Sequence, residues 1–395
     1  MYKLLKHPKE LIMKPLIYKT MTLLFSLCII SGCKGNYSTN VVNLDTMEII
    51  EMDSTTSDYC LTPIKCSVPM DGIVRTIDYS DYTFYLGRSR KKVYCIENDT
   101  VIGILESVGR GRGEYVRIED YCYDERQKLL YVVDQKRILK YSVPSMEFIE
   151  SIDINFTTSG MIALDTERLL IKCSYFEDDT YNNLYDGVCI VSSKTGEILK
   201  QCLKFDYYST FCFMKCDFQK DGNNVLLPMA DPYINRIVSF DLSNYSTKEI
   251  ESFSFNPRWR LSKKMTRLLK KDHIKFEIDF DYEFYCNGCH FPSFINSRLT
   301  YWCYAIENGK NNGGVVIKSG DETICRLFNI SGTNILVSPD YVKDNKCYSL
   351  IEGEAESIVE DWDELSPLGR EIYETMKAQP FNNPVLLSFT VDKGL

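Results

Sequence analysis

Residues 116–154, VRIEDYCYDERQKLLYVVDQKRILKYSVPSMEFIESIDI, hold four strand-like runs in succession: 116–123, 129–134, 137–143 and 147–154. Each run is apolar or aromatic and β-branched, and polar turn residues separate them, so the stretch reads as a four-stranded antiparallel meander. Working outward, the second run has counterparts in TFYLG (83–87), RLLIKC (168–173), NVLLPM (224–229), LTYWCY (299–304) and KCYSLI (346–351). The third matches KVYCIE (92–97), GVCIVSS (187–193), RIVSFDL (236–242), GVVIKS (314–319) and PVLLSFTV (384–391). The fourth recurs as VIGILES (101–107), EILKQCLKF (197–205), KEIESFSF (248–255) and TICRLFNI (323–330), and the first as IVRTIDY (73–79), GMIALD (160–165) and FCFMKCDF (211–218).

Six units of four strands imply an all-β, six-bladed β-propeller of four-stranded antiparallel blades, because one such sheet cannot cover both of its faces and a closed ring of six can. The sixth unit runs out at Leu395 without an outer strand, and TMEIIEM (46–52) stands free at the other end. Residues 46–52 are therefore expected to complete blade six and close the ring. Two inserts interrupt the repeat, near 256–285 and 352–383, each expected to carry a short helix: basic RLSKKMTRLLKK (260–271) in one, Leu368 to Lys377 after an acidic run in the other. A solvated helix face accounts for either charge run.

The first 32 residues read as a leader. Lys14 and Lys19 precede the ten-residue apolar core 21–30, followed by Ile30, Ser31, Gly32 and Cys33. This arrangement resembles the bacterial lipobox, which implies a signal peptide over 1–32, lipidation of Cys33, a tether over 33–45 and a propeller over 46–395. Met13 is an alternative start. A bilayer-spanning helix would need about 20 apolar residues, more than are present. The expected location is the cell envelope, lipid-anchored, with the outer membrane as the expected membrane.

The chain has 395 residues, 46 Lys and Arg, 55 Asp and Glu, and a formal charge of −9, which argues against nucleic acid as a partner. Losing Lys3, Lys6, Lys9, Glu10, Lys14 and Lys19 with the leader makes the mature chain more acidic still. Most of the 16 cysteines lie inside apolar runs, so they read as buried free thiols, with one or two disulfides at most. A monomer is expected.

Residues 108–134 carry a further signal. VGRGRGEYVRIEDYCYDERQKLLYVVD resembles the Gly-Arg-Gly-Pro-Gly-Glu-Tyr signature of six-bladed β-propeller lipoproteins of anaerobic Gram-negative gut bacteria, with Arg112 where that family has proline. It is also similar to the NHL/TolB-like propeller repeat, and NPVLLSFTV (383–391) looks like the usual last strand of the same lipoproteins. The resemblance implies a lipid-anchored propeller without an assigned activity.

The same loop, 109–115, is the candidate ligand site. It precedes the inner strand of a blade, and its Arg110, Arg112, Glu114 and Tyr115 could meet an anionic group at the channel; alternatively Glu114 pairs with an arginine and Tyr115 packs, only to fix the turn. Cys286, Cys289 and His290 match the C-x-x-C-H attachment site of c-type haem, but they fall where an inner strand should begin and also read as core thiols and a turn histidine. The mature chain holds only His273 and His290, too few for a multi-histidine zinc site. Glu177, Asp178, Asp179, Asn182, Asn183 and Asp186 could hold Ca²⁺ but lack EF-hand spacing and read equally as a solvated loop tip. No catalytic set and no cofactor is evident. The expected function is a binding or scaffold module for a glycan, peptide or protein, and the rival is a Ca-type metal-dependent hydrolase or lyase working in the central channel.

Overall fold

The computed structural model describes residues 40–391 apart from 44, 46–47, 53–58, 178–183, 206–217, 231–234, 256–263, 265–283, 287–289, 308–309, 320–321 and 336. Cys33, the expected leader 1–32 and positions 34–39 of the expected tether 33–45 lie outside these residues, as does the basic stretch 260–271 apart from Lys264. The described strands form six sheets. Blade one is Ile73–Asp78, Thr83–Gly87, Val93–Glu97 and Thr100–Leu105, and blade two is Asp120–Asp124, Leu129–Asp134, Arg137–Ser142 and Phe148–Asp153. Blade three comprises Thr157–Ala163, Arg168–Phe176, Leu184–Ser192 and Ile198–Lys204, and blade four Gln219–Asp221, Asn224–Ala230, Asn235–Asp241 and Thr247–Phe255. In blade five the first strand is split into Phe284–Cys286 and His290–Ile295, followed by Arg298–Glu307, Lys310–Ser319 and Glu322–Asn329. Blade six is Tyr341–Lys343, Lys346–Ile351 and Val385–Phe389, with Cys60–Pro63 as its fourth strand. This is the six-bladed β-propeller that the repeat implies.

The side chains explain why the runs are continuously apolar rather than alternating. Successive residues of a strand point to opposite faces, and in a ring each face meets another blade. Along LLYVVD, Leu130 and Val132 enter the cluster shared with blade one, while Tyr131 and Val133 enter the cluster shared with blade three. Six such clusters occupy the six blade junctions, and the last joins Tyr341 and Leu386 of blade six to Tyr85 and Tyr94 of blade one. Each fully buried aliphatic side chain contributes roughly 1.5–3 kcal/mol. Cys95, Cys122, Cys173 and Cys189 are free thiols buried in these junctions, and Cys303 and Cys347 are buried there too; at Cys95 burial pushes the thiol up to about 12.

The N-terminal segment closes the ring, but not with the residues expected. Glu48–Glu51 lies parallel on Glu322–Asn329, the outer strand of blade five, and the outer place in blade six belongs to Cys60–Pro63, antiparallel to Val385–Phe389. The reason is connectivity. The chain passes within a few residues from Pro63 into blade one, where Lys65 bridges Thr100 and Ile64 is buried, so the last strand before blade one sits beside it. Earlier residues trail back around the rim, and Asn40–Val42 pairs in parallel with Thr247–Phe255 of blade four. Val42 and Met52 pin this belt by entering the clusters between blades four and five and between blades five and six.

In blade four the described first strand is Gln219–Asp221; of the run 211–218 expected to form it, 211–217 lie outside the described residues. In the 352–383 insert, helix α1 is Ala355–Ile358 and helix α2 is Pro367–Lys377. Ser366 caps α2 by accepting from the Gly369 N–H at 3.1 Å, and Pro367 occupies the first turn. Leu368, Ile372 and Met376 seat α2 on the core between blades five and six. Glu352 does not behave as a solvated charge: its carboxylate accepts from the Ile73 N–H and meets Arg88, tying the insert to blade one, and burial raises its proton affinity.

Candidate functional site

The blades share one strand order, so the first strands all run the same way along the central channel, each paired on one side only. Their C-terminal ends surround a cavity of about 450 Å³ lined from blades one, two, three, four and six. Blade one supplies Arg75, Thr76, Asp78 and Tyr79; Glu125, Lys220, Lys343 and Asp344 come from the others.

Most charges in this wall are locked. Arg75 ion-pairs with Asp120 of blade two, and its guanidinium lies 5.3 Å from the centre of the Tyr121 ring. Tyr121 in turn donates its hydroxyl proton to backbone oxygens of blade one, 3.0 Å from both Arg75 and Phe84. Asp120 is fully buried; its Oδ1 accepts from the Tyr121 N–H at 2.8 Å, and its Oδ2 has no hydrogen-bond partner. Lys343 of blade six reaches Asp78 at 2.9 Å, and Thr83 donates to the same carboxylate at 2.6 Å. Burial nevertheless raises the Asp78 pKa above the ordinary carboxylate value, because desolvation outweighs those partners. Glu125 accepts from the N–H and hydroxyl of Ser80 at 2.9 and 2.6 Å.

Aromatic rings back the polar groups. Tyr79 packs edge-on against Tyr123 at 5.2 Å and accepts from the Tyr123 N–H at 3.0 Å. Tyr341 stacks on Tyr348 at 4.6 Å, and burial pushes both Tyr79 and Tyr341 phenols up. Thr76 is 8% exposed, and its buried hydroxyl has no hydrogen-bond partner among the described residues. A buried hydroxyl left without a partner costs about 1–3 kcal/mol.

The glycine-rich loop lies elsewhere. Its contacts run to the outer parts of blades one and two, at the end where first strands begin, and none of its residues lines the channel cavity. Tyr115 is buried and donates to the Lys91 oxygen at 2.8 Å and the Leu105 oxygen at 3.2 Å. Glu114 Oε2 accepts from the Gly111 N–H at 2.6 Å, so it holds the loop's own backbone rather than an arginine. A Cβ at Gly109 would stand 2.0 Å from that oxygen, and Gly113 adopts φ +74° against the Phe148 ring. The motif is thus legible as a turn. Arg110 and Arg112 are exposed and have no hydrogen bond or ion pair with any described residue.

The other sequence candidates are dispersed. Cys286 ends one strand and His290 opens the next, while Cys289 lies outside the described residues. Glu177 accepts from Gln201 at 3.1 Å, and Asp186 accepts from Ser174 at 2.7 Å. Asp178, Asp179, Asn182 and Asn183 lie outside the described residues. Among the described residues no three His, Cys, Asp or Glu side chains converge as a metal site. The cavity residues themselves went unread. The available signal was a charge and a hydroxyl, Arg75 and Thr76, in the middle of the strand IVRTID.

Comparison with known proteins agrees with this architecture. No curated protein matches the chain. Among solved structures, a protein of Bacteroides fragilis NCTC 9343 described as exported superposes with a TM-score of 0.63 at 16% identity, covering 88% of this chain and 100% of that one. A DUF4221 family member from Bacteroides vulgatus ATCC 8482 gives a TM-score of 0.49 at 9% identity, over 85% of this chain and 97% of that one. The first of these is similar in fold. The family model DUF5128, described as a 6-bladed beta-propeller, matches residues 64–323, from the entry into blade one to the outer strand of blade five. The chain therefore belongs to the DUF5128 family of six-bladed β-propellers.

Proposed function

We propose that this propeller is a lipid-anchored binding module of the cell envelope that holds a small polar ligand, such as the end of a glycan or peptide, in the cavity of its central channel. The anchoring part rests on Cys33 directly after Ile30, Ser31 and Gly32, and it is supported by the description of the B. fragilis structure as an exported protein. The observation that carries the binding part is the cavity itself. It is concave and preformed, and polar groups converge on it from blades one, two, four and six.

The full chain, probed on a mixed array of glycans and peptides, is compared with Ser80→Trp. Ser80 is an exposed residue of the cavity mouth, so an indole there obstructs entry without disturbing the core. Binding should fall at least about tenfold while the melting temperature stays within about 2 °C. Equal binding by the two proteins would place the ligand somewhere other than the channel.

A further inference from the structure

Resting on that reading of the cavity, we infer that its ligand is a short unblocked peptide, held by its two oppositely charged ends across the channel mouth. The charge pattern carries this. In a six-membered ring blade four stands opposite blade one. Around blade one the wall is acidic: Glu125 on blade two, Asp78 on blade one, Asp344 on blade six. Only Lys343 offsets this arc, and it is committed to Asp78. On the far side Lys220 of blade four is exposed and has no partner among the described residues, and the same is true of Asp344. Arg75 contributes no free charge, being neutralised by Asp120. The mouth is therefore a dipole, carboxylates on one side and an ammonium on the other.

A zwitterion of matching length is complementary to that dipole, with its amine against the Glu125 and Asp344 side and its carboxylate at Lys220. The channel wall between them favours an amide chain over a sugar ring. Each first strand pairs with its second strand alone, so its inner edge offers N–H and C=O groups at strand spacing. A cavity of about 450 Å³ admits a di- to tetrapeptide and excludes a folded partner. Two carboxylates face the amine and one ammonium faces the carboxylate, so the amine end should contribute more.

Calorimetric titration of the full chain with trialanine, N-acetyl-trialanine, trialanine amide and maltotriose tests this. Trialanine should bind; acetylation should weaken it about tenfold and amidation about threefold. Lys220→Gln should erase the difference between trialanine and its amide, and Asp344→Asn should shrink the cost of acetylation. Both residues are exposed, so neither substitution threatens folding. Equal affinity for free and blocked peptides, or unchanged preferences in the two variants, overturns the inference. Binding of maltotriose without trialanine also overturns it while leaving the cavity as the binding site. No binding of any of these probes, together with array binding untouched by Ser80→Trp, removes both readings.

Discussion

Blades four to six and blades one to three solve the same problem differently. The outer edge of any blade is a row of unpaired backbone groups and invites another strand. On blades four and five that edge is covered in parallel by Asn40–Val42 and Glu48–Glu51, and on blade six the outer strand itself is N-terminal sequence. On blades one, two and three no described strand covers the edge beyond the bridge at Lys65 and Thr100. There the third and fourth strands slip register, at Cys95/Ile96, at Lys140/Tyr141, and twice in blade three. Charges such as Glu150 and Lys200 stand exposed on those outer strands. Blade four, although covered, slips as well, at Ile237/Val238, whereas blades five and six have no such slip between third and fourth strands. An edge can be covered or it can be bent and charged: blades one to three are bent, blade five is covered, and blade four is both.

The covered half should be the more fragile when its cover is removed. Deleting residues 34–65 strips the fourth strand from blade six and the buried Ile64, and should cost on the order of 5 kcal/mol or more, seen calorimetrically as a melting temperature about 10 °C lower or as loss of a single transition. Deleting only 34–53 leaves Cys60–Pro63 in place and removes Val42 and Met52, so the loss should be about half as large. If the two deletions melt alike, the ring is not closed by the strand beside Val385–Phe389. A matched pair of point variants sharpens the contrast. Glu51→Ala removes an acceptor for Asn329 at 2.8 Å and Ser331 at 2.6 Å on the covered half, and should cost about 1–2 kcal/mol in chemical denaturation. Leu199→Lys, on the open edge of blade three and 53% exposed, should stay within about 0.5 kcal/mol.

These halves were not equally legible in the sequence. Strands such as LLYVVD and TFYLG announce themselves because both faces are buried, and their observed limits are the ones read from the residues. Cys60–Pro63 is four residues with a proline at its end, tolerable on an edge strand and weak as a strand signal, so the more apolar 46–52 attracted the assignment. Gln219–Asp221 is polar throughout and carries no periodicity at all. The cavity was hidden for another reason. Thr76, Glu125, Lys220 and Lys343 meet only after the ring closes, and nothing local marks any of them as neighbours of the rest. The 109–115 loop was the reverse case: a strong local motif whose Glu114 holds its own turn and whose Tyr115 anchors that turn to blade one.

The belt also sets an order in which the molecule yields to tension. A pull applied at residue 40 first meets the three backbone pairs of Asn40–Val42, then the four of Glu48–Glu51, and only afterwards the strand Cys60–Pro63 whose loss opens the ring. The first two can peel away while every blade keeps its own four strands. Under a load applied at residue 40 the ring thus carries two sacrificial fasteners in series, which release chain and dissipate load before the circle is broken.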